Sequence, residues 1–251
     1  MSTPISVAIL AAGQGKRMGN PNLAKVLNPL HGRPLLGYVL EQAATLGPIH
    51  IVVIVGHQRE SVTAFVASEM PTAHCVVQDQ QLGTGHAVLQ TRTVLADSQS
   101  EVLILSGDVP LLTAETLQAF AEHHRSSGAV ASVLTAEVPD PTGYGRIVRA
   151  QSGAMQRIVE HKDASDDERT ITEINSGIYI VQSAELFNAL DGLSNDNAQG
   201  EYYLTDIISI LQTAGSQVSA WRAPSWQEIH GVNTIADLEH AALILAERTS
   251  H

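Results

Sequence analysis

Short apolar runs without polar alternation constrain this chain most. SVAIL (6–10), IVVIV (51–55), CVVQ (75–78) and EVLILS (101–106) are four to six residues long and rich in β-branched side chains. A strand with one wet face alternates apolar and polar residues, so these runs read as strands buried on both faces. Between them, residues 35–46, 59–68, 84–95 and 113–124 carry helical spacing. Strand, helix, strand, repeated, implies right-handed crossovers and a mainly parallel sheet, an α/β fold. In such sheets ligands sit beyond the carboxyl ends of the strands.

The second half is less regular. AVASVLTAEV (129–138), RIVRA (146–150), MQRIVE (155–160) and NSGIYIV (175–181) read as strands between Gly and Asp turns. They either extend the sheet with antiparallel members or form a β-rich lobe. A last helix is expected from about Thr234 to Arg248, with Ile235, Leu238, Ala242 and Leu245 on one face and a capping box from Thr234 and Asp237.

Charge narrows the partners. The 251 residues hold 14 Lys and Arg against 26 Asp and Glu, a net charge of −12. That excess of acid argues against nucleic acid and anionic membranes. No apolar run approaches the roughly 18 residues of a bilayer span. The apolar stretch at 5–12 precedes the first cations, unlike a signal peptide. Cys75 is the single cysteine, so an intrachain disulfide is impossible; a reducing compartment, the cytoplasm, is expected, with Cys75 in the core. Against this acidic background, residues 1–40 contain Lys16, Arg17, Lys25 and Arg33 and no Asp or Glu, which points to a dedicated anion site.

The first strand runs into LAAGQGKRM (10–18). Its small residues let backbone N–H groups approach a ligand, and consecutive amides form an anion-binding concavity. Met18 fits neither a P-loop nor a dinucleotide fingerprint, which disfavours an NAD-dependent enzyme. Asp108 follows a hydrophobic strand and precedes Val109-Pro110, where it either starts a turn or holds a hard cation. None of the 11 histidines shows a metal-binding pair on a helix face, so they read as surface or structural groups.

LAAGQGKRM with LAKVL (23–27) resembles the opening of sugar-1-phosphate nucleotidylyltransferases. QLGTGHA (81–87), SGDVPLL (106–112), DPTGYGRI (140–147), VEHKDA (159–164), EINSGIY (173–179), NAQGEYYLTDII (197–208) and GVN (231–233) resemble one branch, the uridylyltransferase domain of bacterial N-acetylglucosamine-1-phosphate uridylyltransferases. The motifs are collinear over nearly the whole chain. The resemblance implies a Rossmann-like, mainly parallel mixed sheet flanked by helices, with a β-rich sugar-binding lobe. It divides the chain into a nucleotide-binding half (about 1–112), a sugar-binding half (113–233) and a C-terminal helix (234–251).

It further implies the substrates UTP and N-acetylglucosamine 1-phosphate, with Mg²⁺ as cofactor. Arg17 and Lys25 would be the catalytic cations. Leu10, Ala11, Ala12, Gly13, Gln78, Gly83 and Thr84 would hold the nucleotide. Gly145, Glu160, Asn175, Tyr203 and Thr205 would hold the sugar phosphate, and Asp108 and Asn233 the metal. The reading requires Arg17, Lys25 and Asp108 to meet around one triphosphate.

Three departures stand out: residues 19–24 form a segment one longer than usual, Ala24 replaces the Pro before the lysine, and Ser106 stands where many relatives have Tyr. The relatives usually continue into a left-handed β-helix with acetyltransferase activity. None follows here, so neither the acetyl step nor the usual trimer is expected, and a monomer is the default. The alternatives are transfer to another sugar phosphate or from CTP, or a silent module that binds a UDP-sugar.

Overall fold

A computed structural model of the chain describes residues 3–20, 22–96 and 99–249, so Pro21, in the longer segment, lies outside the described residues. Strand β1 (Ile5–Ala11) leads through two 3-10 turns, Lys16–Met18 and Lys25–Leu27, and a small ribbon of β2 (Pro29–Leu30) and β3 (Arg33–Pro34). Then come α1 (Leu35–Ala44), β4 (His50–Val55), α2 (Arg59–Glu69), β5 (His74–Val77), α3 (Thr84–Leu89), α4 (Arg92–Leu95) and β6 (Glu101–Ser106). The rest runs α5 (Ala114–Ser127), β7 (Ala131–Glu137), β8 (Arg146–Arg149), β9 (Met155–Val159), α6 (Asp166–Arg169) and β10 (Glu173–Gln182). It ends with α7 (Ser183–Asp191), α8 (Asp206–Thr213), β11 (Val218–Arg222) and α9 (Ile235–Thr249).

The main sheet has the order β11-β7-β10-β6-β1-β4-β5, with the β8–β9 hairpin attached through β8 to β10. Strands β6, β1, β4 and β5 pair in parallel, as do β7 and β11. Strand β10 runs antiparallel to both β6 and β7. The second half therefore does both things its sequence allows: β10 extends the sheet antiparallel, and β8–β9 forms a hairpin beyond it.

Period-2 side chains of β1 serve two cores. Val7 and Ile9 join Val39 of α1, Val62 of α2 and Phe120 of α5. Ala8 joins Val88 of α3, Phe187 of α7 and Ile207 of α8 on the other face. Each fully buried Val, Ile or Phe contributes about 1.5–3 kcal/mol, and a strand covered on both sides collects that from every residue. This is why β1, β4 and β6 read as unbroken apolar runs.

The chain leaves β1 for β4 through α1 and returns to β6, on the other side of β1, through α3 and α4. Neighbouring strands whose connections part in opposite directions leave a crevice at their carboxyl ends.

Three expectations are corrected. Strand β5 is not buried on both faces; His74 and Val77 are exposed, because β5 ends the sheet and has a neighbour on one side only. Cys75 is consequently half-buried rather than in the core, and burial pushes its thiol ionisation up. Residues 84–95 form two helices instead of one. At the break the Thr91 hydroxyl donates to the Val88 carbonyl (2.7 Å) and the Gln90 amide to the His86 carbonyl (2.8 Å), so side chains compete for helix acceptors. The capping box at α9 is present: the Thr234 hydroxyl accepts from the Asp237 amide (3.1 Å), and Asp237 accepts from the Thr234 amide (2.8 Å). Among the described residues, no helix is long and apolar enough to cross a membrane.

Candidate active site

A cleft of about 290 Å³ opens at the carboxyl ends of β1 and β6. Leu10, Ala11, Ala12 and Gly13 form one wall; Lys25, Ser106 and Asp108 form another; Gln78, Gly83 and Thr84 close the third side. An adjoining cavity of about 200 Å³ shares Leu10, Thr84 and Ser106, and adds Tyr144, Gly145, Glu160, Asn175, Tyr179 and Thr205.

Local geometry explains the glycine loop. Gly15 has φ +61°, and a Cβ there would lie 2.5 Å from Cβ of Lys25. The loop thus lies directly against the lysine, which only a residue without a side chain permits. The Lys25 ammonium forms an ion pair with Asp108 and donates to Oδ1 of Asn233 at 2.7 Å. Arg17 donates to the same Asn233 oxygen at 3.0 Å. Lys25 and Asp108 side chains are only 14% and 17% exposed, so water screens their charges less than on an open surface. Loop 230–234 is held in place by the Val232 amide, which donates to the Asp108 carbonyl at 2.8 Å. Its Gly231 sits against the Asp108 carboxylate, where a Cβ would come within 3.4 Å of Oδ2.

Residues 17, 25 and 108 therefore come together: Asn233 accepts from Arg17 and Lys25, and Lys25 pairs with Asp108. Ala24 adopts φ −56° and ψ 138°, the backbone shape of a proline, so its substitution leaves Lys25 in place. Arg33 is not part of the cluster. It pairs with Glu41 and Glu69 on the surface of α1 and α2, since the ribbon turns it away from the cleft.

On the third side of the cleft, the Gln78 side-chain amide donates to the Gly83 carbonyl at 3.0 Å and contacts His86 at 3.1 Å. Gly83 has φ +111°, and a Cβ would meet the Tyr202 carbonyl at 2.6 Å. The Thr84 hydroxyl accepts from the Leu204 amide at 3.1 Å, tying the start of α3 to the segment before α8. In the adjoining cavity, the Asn175 backbone N–H donates to the Gly145 carbonyl at 2.9 Å, and the Thr205 hydroxyl donates to Glu160 at 3.2 Å. Burial raises the ionisation of Glu160, and the charges of Asp206, Asp163 and Glu201 add to it, while the Thr205 bond opposes it.

Tyr203 departs from expectation. It lines neither cavity, and its hydroxyl donates to Asp163 at 3.3 Å. The sequence reading missed Gln81, which lines the cleft and donates to the Ala12 carbonyl at 2.9 Å, and Tyr144, which lines the sugar cavity. Both stood inside quoted motifs. It also missed His230 and Asp237 as neighbours of the site, for which no spacing gave a signal. The described histidines are exposed or half-buried except His124, which is buried against Ser132 (2.8 Å), where burial and the charge of Arg125 push its ionisation down to about 4.

Phosphates need cations and inward-facing amides, and a sugar needs hydroxyl-bonding side chains one step away. A doubly wound sheet that brings both to one cleft defines a protein of the nucleotidyltransferase class. The chain belongs to the family of the MobA-like NTP transferase domain, whose model matches residues 7–203. Among curated proteins, it is 46% identical to the bifunctional protein GlmU of Bacillus subtilis (strain 168) over 96% of this chain and 52% of that one. It is 48% identical to the bifunctional protein GlmU of Streptomyces coelicolor over 98% of this chain and 51% of that one. The chain thus spans about half the length of the curated relatives it matches. Among solved structures, a UDP-glucose pyrophosphorylase complexed with UDP-glucose has a TM-score of 0.78 at 16% identity, covering 98% of this chain and 100% of that one. A putative glucose-1-phosphate thymidylyltransferase from Bacillus anthracis has a TM-score of 0.77 at 19% identity, covering 96% and 94%. At these identities the two structures share the fold.

Proposed function

We propose that the chain transfers uridylyl from UTP to N-acetylglucosamine 1-phosphate, releasing pyrophosphate and UDP-N-acetylglucosamine. The observation that carries this reading is the convergence of Lys25, Asp108, Arg17 and Asn233 at the mouth of a cleft that continues into the Glu160–Asn175–Thr205 cavity. The resemblance of the motifs to those of uridylyltransferases and the likeness to GlmU proteins support the choice of substrates.

An oxygen of the sugar phosphate attacks the α-phosphorus in line. The new P–O bond forms as the bond to the β-phosphate oxygen breaks, and pyrophosphate leaves with that electron pair. The attacking oxygen is already anionic at neutral pH, so no general base is required. The barrier is repulsion between anions and charge growing on the leaving group. Cations and fixed amides lower both. Lys25 carries three N–H donors and uses two on Asp108 and Asn233, which leaves one to offer a phosphate. Arg17 reaches the same place from the glycine loop. The backbone from Leu10 to Gly13 cradles the phosphates, and Gln78, Gly83 and Thr84 face the base.

The donor set suits a hard divalent cation. Asp108 supplies a carboxylate and Asn233 an amide oxygen, and both already converge on one positive group, the Lys25 ammonium. Asp108 and Asn233 would hold Mg²⁺ in place of the ammonium contacts, where it would supply positive charge against the phosphates.

The test is pyrophosphate release with a panel of nucleoside triphosphates and sugar 1-phosphates. Turnover dependent on Mg²⁺ and highest for UTP with N-acetylglucosamine 1-phosphate is expected. A preference for CTP or for another sugar phosphate, or UDP-sugar binding without turnover, would overturn the assignment.

A further inference from the structure

The sugar cavity and the Asn233 loop are joined by a chain of hydrogen bonds that the reaction above does not use. Tyr144 lines the cavity, and its hydroxyl meets Nδ1 of His230 at 3.1 Å. Nε2 of His230 meets Oδ1 of Asp237 at 3.3 Å. Oδ2 of Asp237 accepts the backbone amides of Asn233 (2.9 Å) and Thr234 (2.8 Å). The Asn233 side chain in turn faces Lys25 and Arg17. Trp226 packs edge-on against the His230 ring at 5.8 Å between centroids, which restricts its rotation.

The direction of each hydrogen bond follows from what each group can do. Asp237 already acts as an acceptor, taking two backbone amides on Oδ2. An ionised carboxylate only accepts, so Nε2 donates. A neutral imidazole then has its lone pair on Nδ1 and accepts the Tyr144 O–H. That phenol stays protonated, because burial and the charges of Asp108 and Asp237 push its ionisation up to about 12. The chain runs one way, from the sugar wall to the peptide that presents Asn233.

We propose that His230 is a positioning residue that couples the sugar cavity, through Tyr144, to the placement of Asn233 beside Lys25. The inference rests on the proposed reaction. Without the imidazole, Tyr144 and Asp237 lose their shared partner, and the backbone contact of Tyr144 with Gly231 is left as its tie to the loop.

The test compares the unaltered chain with His230→Ala, His230→Gln, Tyr144→Phe and the double variant His230→Ala/Tyr144→Phe. Steady-state pyrophosphate release, Mn²⁺ binding in the presence of UTP by electron paramagnetic resonance, and melting temperature are measured for each. His230→Ala is expected to lower kcat by about tenfold and raise KM for the sugar phosphate severalfold, as misplacement of reacting groups does. KM for UTP should stay within about twofold. The double variant should be no worse than His230→Ala, since both substitutions cut one chain. Gln, with one donor and one acceptor, should restore most of the loss. Mn²⁺ affinity should fall severalfold in His230→Ala. Losses that multiply in the double variant would overturn the coupling, and so would a lower melting temperature with unchanged kcat and KM. If the unaltered chain turns over no UTP with N-acetylglucosamine 1-phosphate, the proposed reaction fails. The Mn²⁺ titration then decides His230 by itself, and equal affinity in His230→Ala overturns its role.

Discussion

The two ends of the cleft face opposite electrostatic tasks. At one end, Arg17 and Lys25, on the segment after β1, gather around the Asp108 carboxylate after β6 and the Asn233 amide oxygen of loop 230–234. At the other end, burial raises the ionisation of Glu160 and the neighbouring acids add to it. Under the proposed function the cationic end would take the phosphates and the acidic end the sugar, whose hydroxyls would donate to its carboxylate. The first end would then depend on fixed charge, and the second, the sugar end, on a hydrogen-bond acceptor whose state varies with pH.

The sharpest way to break this contrast is to remove charge at the first end. Lys25→Ala and Asp108→Asn are each expected to reduce turnover by about 100-fold or more, the usual effect of losing one group that stabilises transition-state charge. Melting curves should stay close to that of the unaltered chain. Near-normal steady-state rates in both variants would remove the cationic end from the mechanism.

Backbone geometry gives the next largest effect. Gly83→Ala meets the Tyr202 carbonyl at 2.6 Å as well as a disfavoured φ, and should lower the unfolding free energy by about 2–4 kcal/mol. Gly215, with φ +82° and open space around it, isolates the conformational part; Gly215→Ala should lose about 1 kcal/mol. Chemical denaturation of the two variants separates collision from strain, and equal losses would show that contact with Tyr202 is unimportant.

The sugar end should respond to pH. Glu160→Gln is expected to raise KM for the sugar phosphate about tenfold, because a bond to a charged acceptor is replaced by a weaker one. In the unaltered chain, that KM should climb as pH falls through the raised ionisation of Glu160, and the Gln variant should show no such climb. Stability moves the other way. The folded chain holds the Glu160 proton more tightly than the unfolded one, so this group's contribution is full below the unfolded value near 4.5 and is lost as pH rises through the folded value. Glu160→Gln should flatten that part of the stability profile; an unchanged profile would place the carboxylate in open solvent.

The smallest change tests the lysine's support. Ala24 already has a proline-like backbone, so Ala24→Pro should add roughly 0.5 kcal/mol by restricting the unfolded chain, a rise of about 1–2 °C in melting temperature. A loss of activity would mean that the turn before Lys25 needs freedom.

How much of this was legible varies by element. Strands β1, β4 and β6 stood out because burial on both faces leaves almost only apolar residues, in runs too short for a helix and rich in β-branched side chains. Edge strands β5 and β11 are different. One neighbour and partial exposure leave β5 its apolar run without the burial it suggests, and β11 has too mixed a pattern to announce itself. Glu160, Asn175 and Thr205 were recognisable only through motifs, since a lone acid, amide or hydroxyl near the end of a strand or helix carries no pattern of its own. Tyr203 was misplaced for the same reason: a motif says that a side chain matters, and packing decides whether it faces the cavity or its back.

The sequence alone determined an alternating α/β chain, a small-residue loop after the first strand and a basic start to an acidic protein, because burial period, backbone freedom and charge are properties of neighbouring residues. Only the tertiary structure decided that Arg17 and Asn233, 216 positions apart, share a hydrogen bond, and that Lys25 meets Asp108 there. Parallel pairing sets the ends of β1 and β6 level, and loop 230–234 binds back to the Asp108 carbonyl. Contacts so distant in the chain come from strand register and loop docking, which local pattern does not encode.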